Sequence, residues 1–218
     1  AKELQISSTD IATAAVEFWR QGLDEEETMS RTKWASMYAK ITAQSFDEAA
    51  TQITASTNSM GVSAQEVVDL FTYLGDASAS SGSEIGTAMQ KAAAAAAAFG
   101  LDFKHLGAYI ATVSETTRQD AASIGTAFNT IIARWHSIKK TGYTTNDDGT
   151  TTGANDISKA LGDVLGINLF ENGQWKDMAV VLDEIASKWN GLDAAQKSYI
   201  ATTMAGTKQQ NVFLALMG

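Results

Sequence analysis

The 218-residue chain has no cysteine and no proline. Without cysteine there is no disulfide and no thiolate metal site, and nothing ties the chain to an oxidising compartment. Average usage would give roughly 11 prolines, each of which would break a helix interior by removing a donor and clashing with the previous turn. Their absence, with abundant Ala, Gln, Glu and Lys, favours a nearly all-helical chain. The 17 glycines are left to do most of the punctuation. Positive charge is scarce, with 16 Lys and Arg against 25 Asp and Glu, a net charge of −9. That balance opposes non-specific nucleic-acid binding, which is driven by phosphate neutralisation, and attraction to anionic membranes. Long apolar runs are missing too. The blandest stretch, Ala92 to Ala98 followed by Phe99, falls far short of the ~20 residues that cross a bilayer. Lys2, Glu3, Gln5 and Asp10 break up the first apolar residues, so no secretory signal pattern opens the chain. Ala1 at the start and the helix-like Leu214 to Gly218 at the end lead us to expect a segment of a longer protein.

What is present is a period. Gly22, Gly61 and Gly100 recur at a constant interval of 39. Each is followed by an aliphatic residue and then a helix N-cap: Asp24, Ser63 and Asp102. Ser63 with Glu66 fits a capping box, Asp24 with Glu27 nearly does, and Asp102 keeps the cap without the reciprocal acid. Val67, Leu70, Phe71 and Leu74 make one helical stripe, answered one period later by Leu106, Tyr109, Ile110 and Val113. A second helix in each block carries Ile85-Gly86-Thr87-Ala88, answered by Ile124-Gly125-Thr126-Ala127. The first block is the weak one. Phe46 and Ala49 match Ile85 and Ala88, but Met29, Trp34, Met37, Tyr38 and Ile41 read as out of phase. A period of this length marks a helical array, in which no unit buries its apolar face alone.

Outside the repeats, a first helix is expected from about Thr9 to Arg20, with Ile11, Ala15, Phe18 and Trp19 on one face. Thr141 to Asn155 is rich in Thr, Gly, Asn and Asp and reads as a polar loop. Ile157 to Leu165 reads as a short helix ending near Gly166. Asn172-Gly173, flanked by Leu169-Phe170 and Trp175, reads as a minimal hairpin. Helices follow at about 177–190, 194–205 and 208–217, the second opened by a capping box from Asp193 to Gln196. The expected architecture is all-α. A helical-repeat region spans 1–139, a flexible polar loop 140–155, and a C-terminal helical subdomain with a short hairpin 156–218.

Little here points to chemistry. His105 and His136 lie in separate blocks, and each reads as a surface or boundary residue rather than a catalytic base. A nucleophile would need an adjacent, oriented base, and neither G-x-S-x-G nor a zinc spacing occurs. Asn146-Asp147-Asp148-Gly149 resembles part of a calcium loop, but the bidentate Glu that completes one is missing. Glu25, Glu26 and Glu27 complement a helix dipole, as do Arg134, Lys139 and Lys140 at a helix end. The Ala92–Ala98 run reads as a helix buried in a tight core. No catalytic, cofactor-binding or metal residue is assigned, and the segment is expected not to be an enzyme.

Taken in order, the motifs resemble the core region of phage tail tape-measure proteins. The resemblance begins with Ser83 to Lys91, the Ala-rich helix to Phe99-Gly100-Leu101, and Ile124 to Phe128 leading to Ile131-Ile132-Ala133-Arg134. Leu165-Gly166-Ile167, Asn172-Gly173 and Val181-Leu182 through Trp189 continue it, then Ile200-Ala201, Ala205 to Asn211 and Phe213 to Leu216. It covers about Gly22 to Gly218, with Thr141–Asn155 as a departure. It implies a structural virion protein, made in the host bacterial cytoplasm and lodged in the tail lumen. Such a protein scaffolds tube assembly, sets tail length and leaves ahead of the genome. The implied partners are the tail-tube protein, tail assembly chaperones and distal-tail or baseplate proteins, with self-association, no nucleic acid and no stable membrane span. The glycine joints argue for a folded helical core here, with flanking sequence doing most of the measuring. The competing readings are a helical-repeat adaptor binding a protein on one face, a cell-wall hydrolase fragment, and a membrane-inserting segment centred on the Ala-rich helix.

Overall fold

Three helical hairpins stack in step with the glycine period. The computed structural model describes residues 12, 15–16, 18–136, 143–145, 151–154, 156–171 and 174–218. The hairpins are α1 (Glu25–Thr42) with α2 (Phe46–Met60), α3 (Ala64–Ala77) with α4 (Gly82–Ala98), and α5 (Phe103–Thr117) with α6 (Ala121–His136). First helices lie beside first helices and second beside second, giving two layers. The closest packing runs along α2, α4 and α6.

Burial follows the period through all three hairpins. Ala49, Ala88 and Ala127 are fully buried, as are Ile53 and Ala92 with Ile131 nearly so. In the first layer, Val67, Phe71 and Leu74 are answered by Leu106, Ile110 and Val113. The first block, which reads as out of phase, is in phase. Its buried residues at those places are Thr28, Thr32 and Ala35, joined by Arg31 and Ser36. Met29 and Ile41, the apolar residues that set the false phase, are exposed. The hairpin break is displaced: Phe46 begins α2 slightly later than the position one period before Gly82. The Ala-rich stretch of α4 buries Ala92, Ala93 and Ala96 between α2 and α6. Small side chains there permit close helix approach.

Before α1 the described residues up to Arg20 are helical. Phe18 is buried edge-on to Phe46, with ring centroids 6.3 Å apart. Trp19, expected on the same face, points out and is 67% exposed. Adjacent residues on a helix lie about 100° apart, so the narrow face that takes Phe18 leaves Trp19 outside. Ile11 lies outside the described residues.

The segment expected to be a polar loop holds two short strands, β1 (Tyr143–Thr145) and β2 (Thr151–Ala154), paired antiparallel with an irregularity after Tyr143. Threonine favours extended backbone, so a Thr-rich segment can form a ribbon despite its turn residues. Then α7 (Asp156–Ala160) runs into a π turn, Leu161–Leu165, closed where the Gly166 and Ile167 amides donate to the carbonyls of Gly162 and Leu161, both at 3.0 Å. The expected minimal hairpin is β3 (Phe170–Glu171) against β4 (Gln174–Trp175); its Asn172-Gly173 turn lies outside the described residues. Helices α8 (Met178–Trp189), α9 (Ala194–Ala205) and α10 (Gln210–Met217) close the chain. Of these, α9 packs on α6 and α10 on α5, so the C-terminal helices cover the last hairpin. The fold is all-α apart from these two-stranded ribbons. Among the described residues no helix is long and apolar enough to cross a membrane.

Candidate interaction groove at the repeat joints

Each joint is a helix stop joined to a helix start. Gly22, Gly61 and Gly100 have φ of 79°, 68° and 70°, a left-handed turn that glycine adopts without strain. Two residues on, the caps engage. The Asp24 carboxylate accepts from the Glu27 amide at 2.8 Å. Ser63 Oγ accepts from the Glu66 amide at 3.2 Å while Glu66 accepts in return from the Ser63 amide at 2.8 Å. Asp102 accepts from the Lys104 and His105 amides at 2.9 and 3.0 Å, and its second oxygen meets His105 Nδ1. The bonds from Ser63 hold the Glu66 carboxyl below its ordinary range. Partial burial pushes the Asp102 carboxyl up, but the hydrogen bonds from His105 and Lys104 outweigh it and the net displacement is downward. The second helices have their own capping boxes, Ser45 with Glu48 and Ser81 with Glu84. Sequence reading missed these, although the Ser-x-x-Glu spacing was there to be read.

Two of the joints face one another. Between the Gly61 and Gly100 turns runs a groove of about 960 Å³. Met60, Val62, Leu70, Leu101 and Phe103, all buried or half-buried, form its floor. Glu66, Asp69, Asp102 and Lys104 stand exposed along it, so its rim is net acidic. Tyr73, 67% exposed, offers an aromatic ring beside the apolar floor. Of the six joint residues singled out from sequence, Gly61, Gly100 and Asp102 line this groove. Ser63 caps the adjoining helix, and Gly22 with Asp24 belongs to the joint before it.

The repeated Ile-Gly-Thr-Ala motif is placed elsewhere, between successive second helices. Ile85, Ile124, Ala88 and Ala127 are fully buried. A Cβ on Gly125 would lie 2.4 Å from the Ala88 carbonyl oxygen, and one on Gly86 would lie 2.2 Å from Gln52 Oε1. Both glycines let one repeat close on the one before it. Thr87 Oγ1 donates to the Ser83 carbonyl at 2.9 Å and receives Gln52 Nε2 at 3.2 Å, whereas Thr126, exposed, bonds only within its own helix, to the Ala122 carbonyl at 2.8 Å. Gln52 is the centre of a buried polar cluster. Its Oε1 lies 3.0 Å from the Tyr38 hydroxyl, which also lies 2.7 Å from the Gly82 carbonyl. Burial raises the Tyr38 phenol well above its ordinary range, a hydrogen bond with Gln44 working against that. The cluster satisfies polar groups where three helices meet, which is a packing task.

The other candidates find ordinary partners. His105 serves the Asp102 cap, and the His136 side chain lies outside the described residues. Arg134 Nε donates to the Thr203 carbonyl at 3.1 Å, tying α6 to α9. Lys139, Lys140 and Asn146–Gly149 lie outside the described residues. Glu27 pairs with Arg31, itself buried and bonded to Asn58 at 2.8 Å. Among the described residues no group of three His, Asp or Glu is placed to hold a metal ion. Chemically, the groove is an apolar trough with an acidic edge, suited to another polypeptide.

The family model described as phage-related minor tail protein matches residues 1–206. No solved structure matches the chain.

Proposed function

Because the chain belongs to the family of phage-related minor tail proteins, we propose that it is the folded core of a tail tape-measure protein. The chain is a phage tail protein; the finer reading gives it a place in the tail lumen after synthesis in the host cytoplasm. There it scaffolds the tube, helps to set tail length and departs ahead of the genome. It acts by contact, with no catalytic step in this segment. Its partners in this reading are the tail-tube protein, the assembly chaperones and the distal-tail or baseplate proteins. The observation that carries the reading is the ordered motif series from Ser83 to Leu216, within a chain that the family matches almost throughout.

The fold qualifies how length is measured. As one straight helix the whole chain would span roughly 330 Å, and a block of one period about 58 Å. In the stacked array one block advances by one helix spacing, about 10 Å. Phage that lack the chain are expected to make no tails, or tubes of uncontrolled length. Phage lacking only residues 61–99 are expected to make tails shortened by about 10 Å or less, measured by electron microscopy. Tails of normal length without the chain would refute the tape-measure role. A loss of about 58 Å on deleting the block would refute the folded core and leave an extended rod.

A further inference from the structure

The groove between the Gly61 and Gly100 joints is open, whereas one repeat later the matching edge is touched at two points. One period after Gly61 stands Gly100, and there the N-cap of α8 arrives: a Cβ on Gly100 would lie 3.0 Å from Asp177 Oδ1. One period after Leu70 stands Tyr109, and there α8 makes a second contact: the Tyr109 hydroxyl donates to Asp183 Oδ1 at 3.3 Å. Around Gly61 a Cβ would meet nothing within 4 Å. The same repeat edge is therefore met by Asp177 and Asp183 at one step and, at Gly61, left open at the step before.

We propose that the open groove receives one amphipathic helix from a partner protein, meeting the Gly61–Leu70 edge as α8 and its N-cap meet the Gly100–Tyr109 edge, with Lys or Arg in place of Asp177 and Asp183. The shape argument is the shared edge, since Gly61 and Leu70 stand one period before the Gly100 and Tyr109 that Asp177 and Asp183 approach. The charge argument selects the occupant. Glu66 and Asp69 border the open groove, so an acidic helix such as α8 would bring like charges together, which costs affinity and discriminates against it. A second copy of a chain with net charge −9 meets the same repulsion. An apolar stripe flanked by cations answers both the floor and the rim. Tyr73 is placed to serve as the anchor, because an aromatic ring beside an apolar floor contributes most when a partner covers it.

The test uses the full chain and two labelled peptides of residues 177–190, one native and one carrying Asp177→Lys and Asp183→Lys. Fluorescence anisotropy is expected to show saturable binding of the basic peptide, roughly tenfold tighter or more than the native one. Tyr73→Ala and Asp69→Lys, both at exposed positions, are expected to weaken it by a similar factor, with the far-UV circular dichroism of the chain unchanged. No saturable binding, equal affinity for the two peptides, or indifference to both variants would overturn the proposal. A concentration-dependent dimer that Tyr73→Ala dissolves would give the groove to a second copy and overturn it as well. Tail length plays no part in this readout, so the groove and the tape-measure role can fail separately.

Discussion

Replacing Gly125 with alanine should loosen the array at its tightest seam. The added Cβ would stand 2.4 Å from the Ala88 carbonyl oxygen, 2.8 Å from Lys91 Cβ and 2.9 Å from Ala88 Cα. Ordinary contact begins at 3.4 Å, so α4 and α6 must part by about 1 Å, because backbone in a packed interior cannot rotate aside as a side chain can. Forcing a methyl into such a site costs about 1–3 kcal/mol. A gap of that size also forfeits about a quarter to a half of each contact it opens, and Ile124, Ala127, Phe128 and Ile131 line the same helix. Against this, alanine is worth about 1 kcal/mol more than glycine in a helix interior. The net expectation is destabilisation by about 1–2 kcal/mol, a melting temperature lower by about 2–8 °C for a chain of this size. Gly162 is the matched control, since a Cβ there meets open space; Gly162→Ala should stabilise by about 0.4–1 kcal/mol. Urea unfolding followed by far-UV circular dichroism reads both. Were Gly125→Ala as stable as the parent while Gly162→Ala gained, the close-approach argument would fail.

Thr32 is buried with no hydrogen-bond partner for its hydroxyl, in the place where the later repeats carry Phe71 and Ile110. Thr32→Val should therefore raise stability, by about 1 kcal/mol, and a lower urea midpoint would show that the hydroxyl matters. The caps predict acid sensitivity. Glu48, Glu66 and Asp120 are held below the ordinary carboxylate range by hydrogen bonds from Ser45, Ser63 and Ser123. A lowered folded value contributes stability above the unfolded value and loses it as pH falls through the folded one. The urea midpoint should thus hold steady down to roughly pH 5 and fall below roughly pH 4, less steeply in a Ser45→Ala, Ser63→Ala double variant; a midpoint that rises on acidification would contradict this.

Much of the fold was legible because its signals are local. A glycine, an aliphatic residue and a cap two positions later specify a helix stop and start within one turn of chain. The hairpin at Phe170–Trp175 and the cap at Asp193 were readable for the same reason. The first repeat was misread because burial there does not follow apolarity. Thr28, Arg31 and Thr32 turn inward while Met29 and Ile41 turn outward, so a phase fitted to apolar residues lands on the wrong face. The joint residues were visible, but the groove was not. It depends on Met60 of one block and Tyr73 of the next lying beside Leu101 and Phe103 of the third, a juxtaposition made by stacking.

The repeating glycines divide into two kinds with separate physical tasks, and the division explains how the array is built. Gly61 and Gly100 serve the backbone: their left-handed turns stop one helix so that a capped one can start. Gly86 and Gly125 serve the packing: they sit inside helices, at a cost in helix propensity, and allow the next repeat to close. The two kinds act along different axes. The first sets the edge on which the groove opens, and the second sets the spacing of successive second helices, which at Gly86, but not at Gly125, lies between the groove's two walls. Widening the α4–α6 seam at Gly125 should therefore leave the Gly61–Gly100 groove intact. A side chain at Gly86 meets Gln52 and the Tyr38 hydroxyl, disturbing the α2–α4 contact, and α2 and α4 are the helices whose ends flank that groove. Stability and docking are separable by choosing which of two glycines, one period apart in the same motif, receives the methyl group.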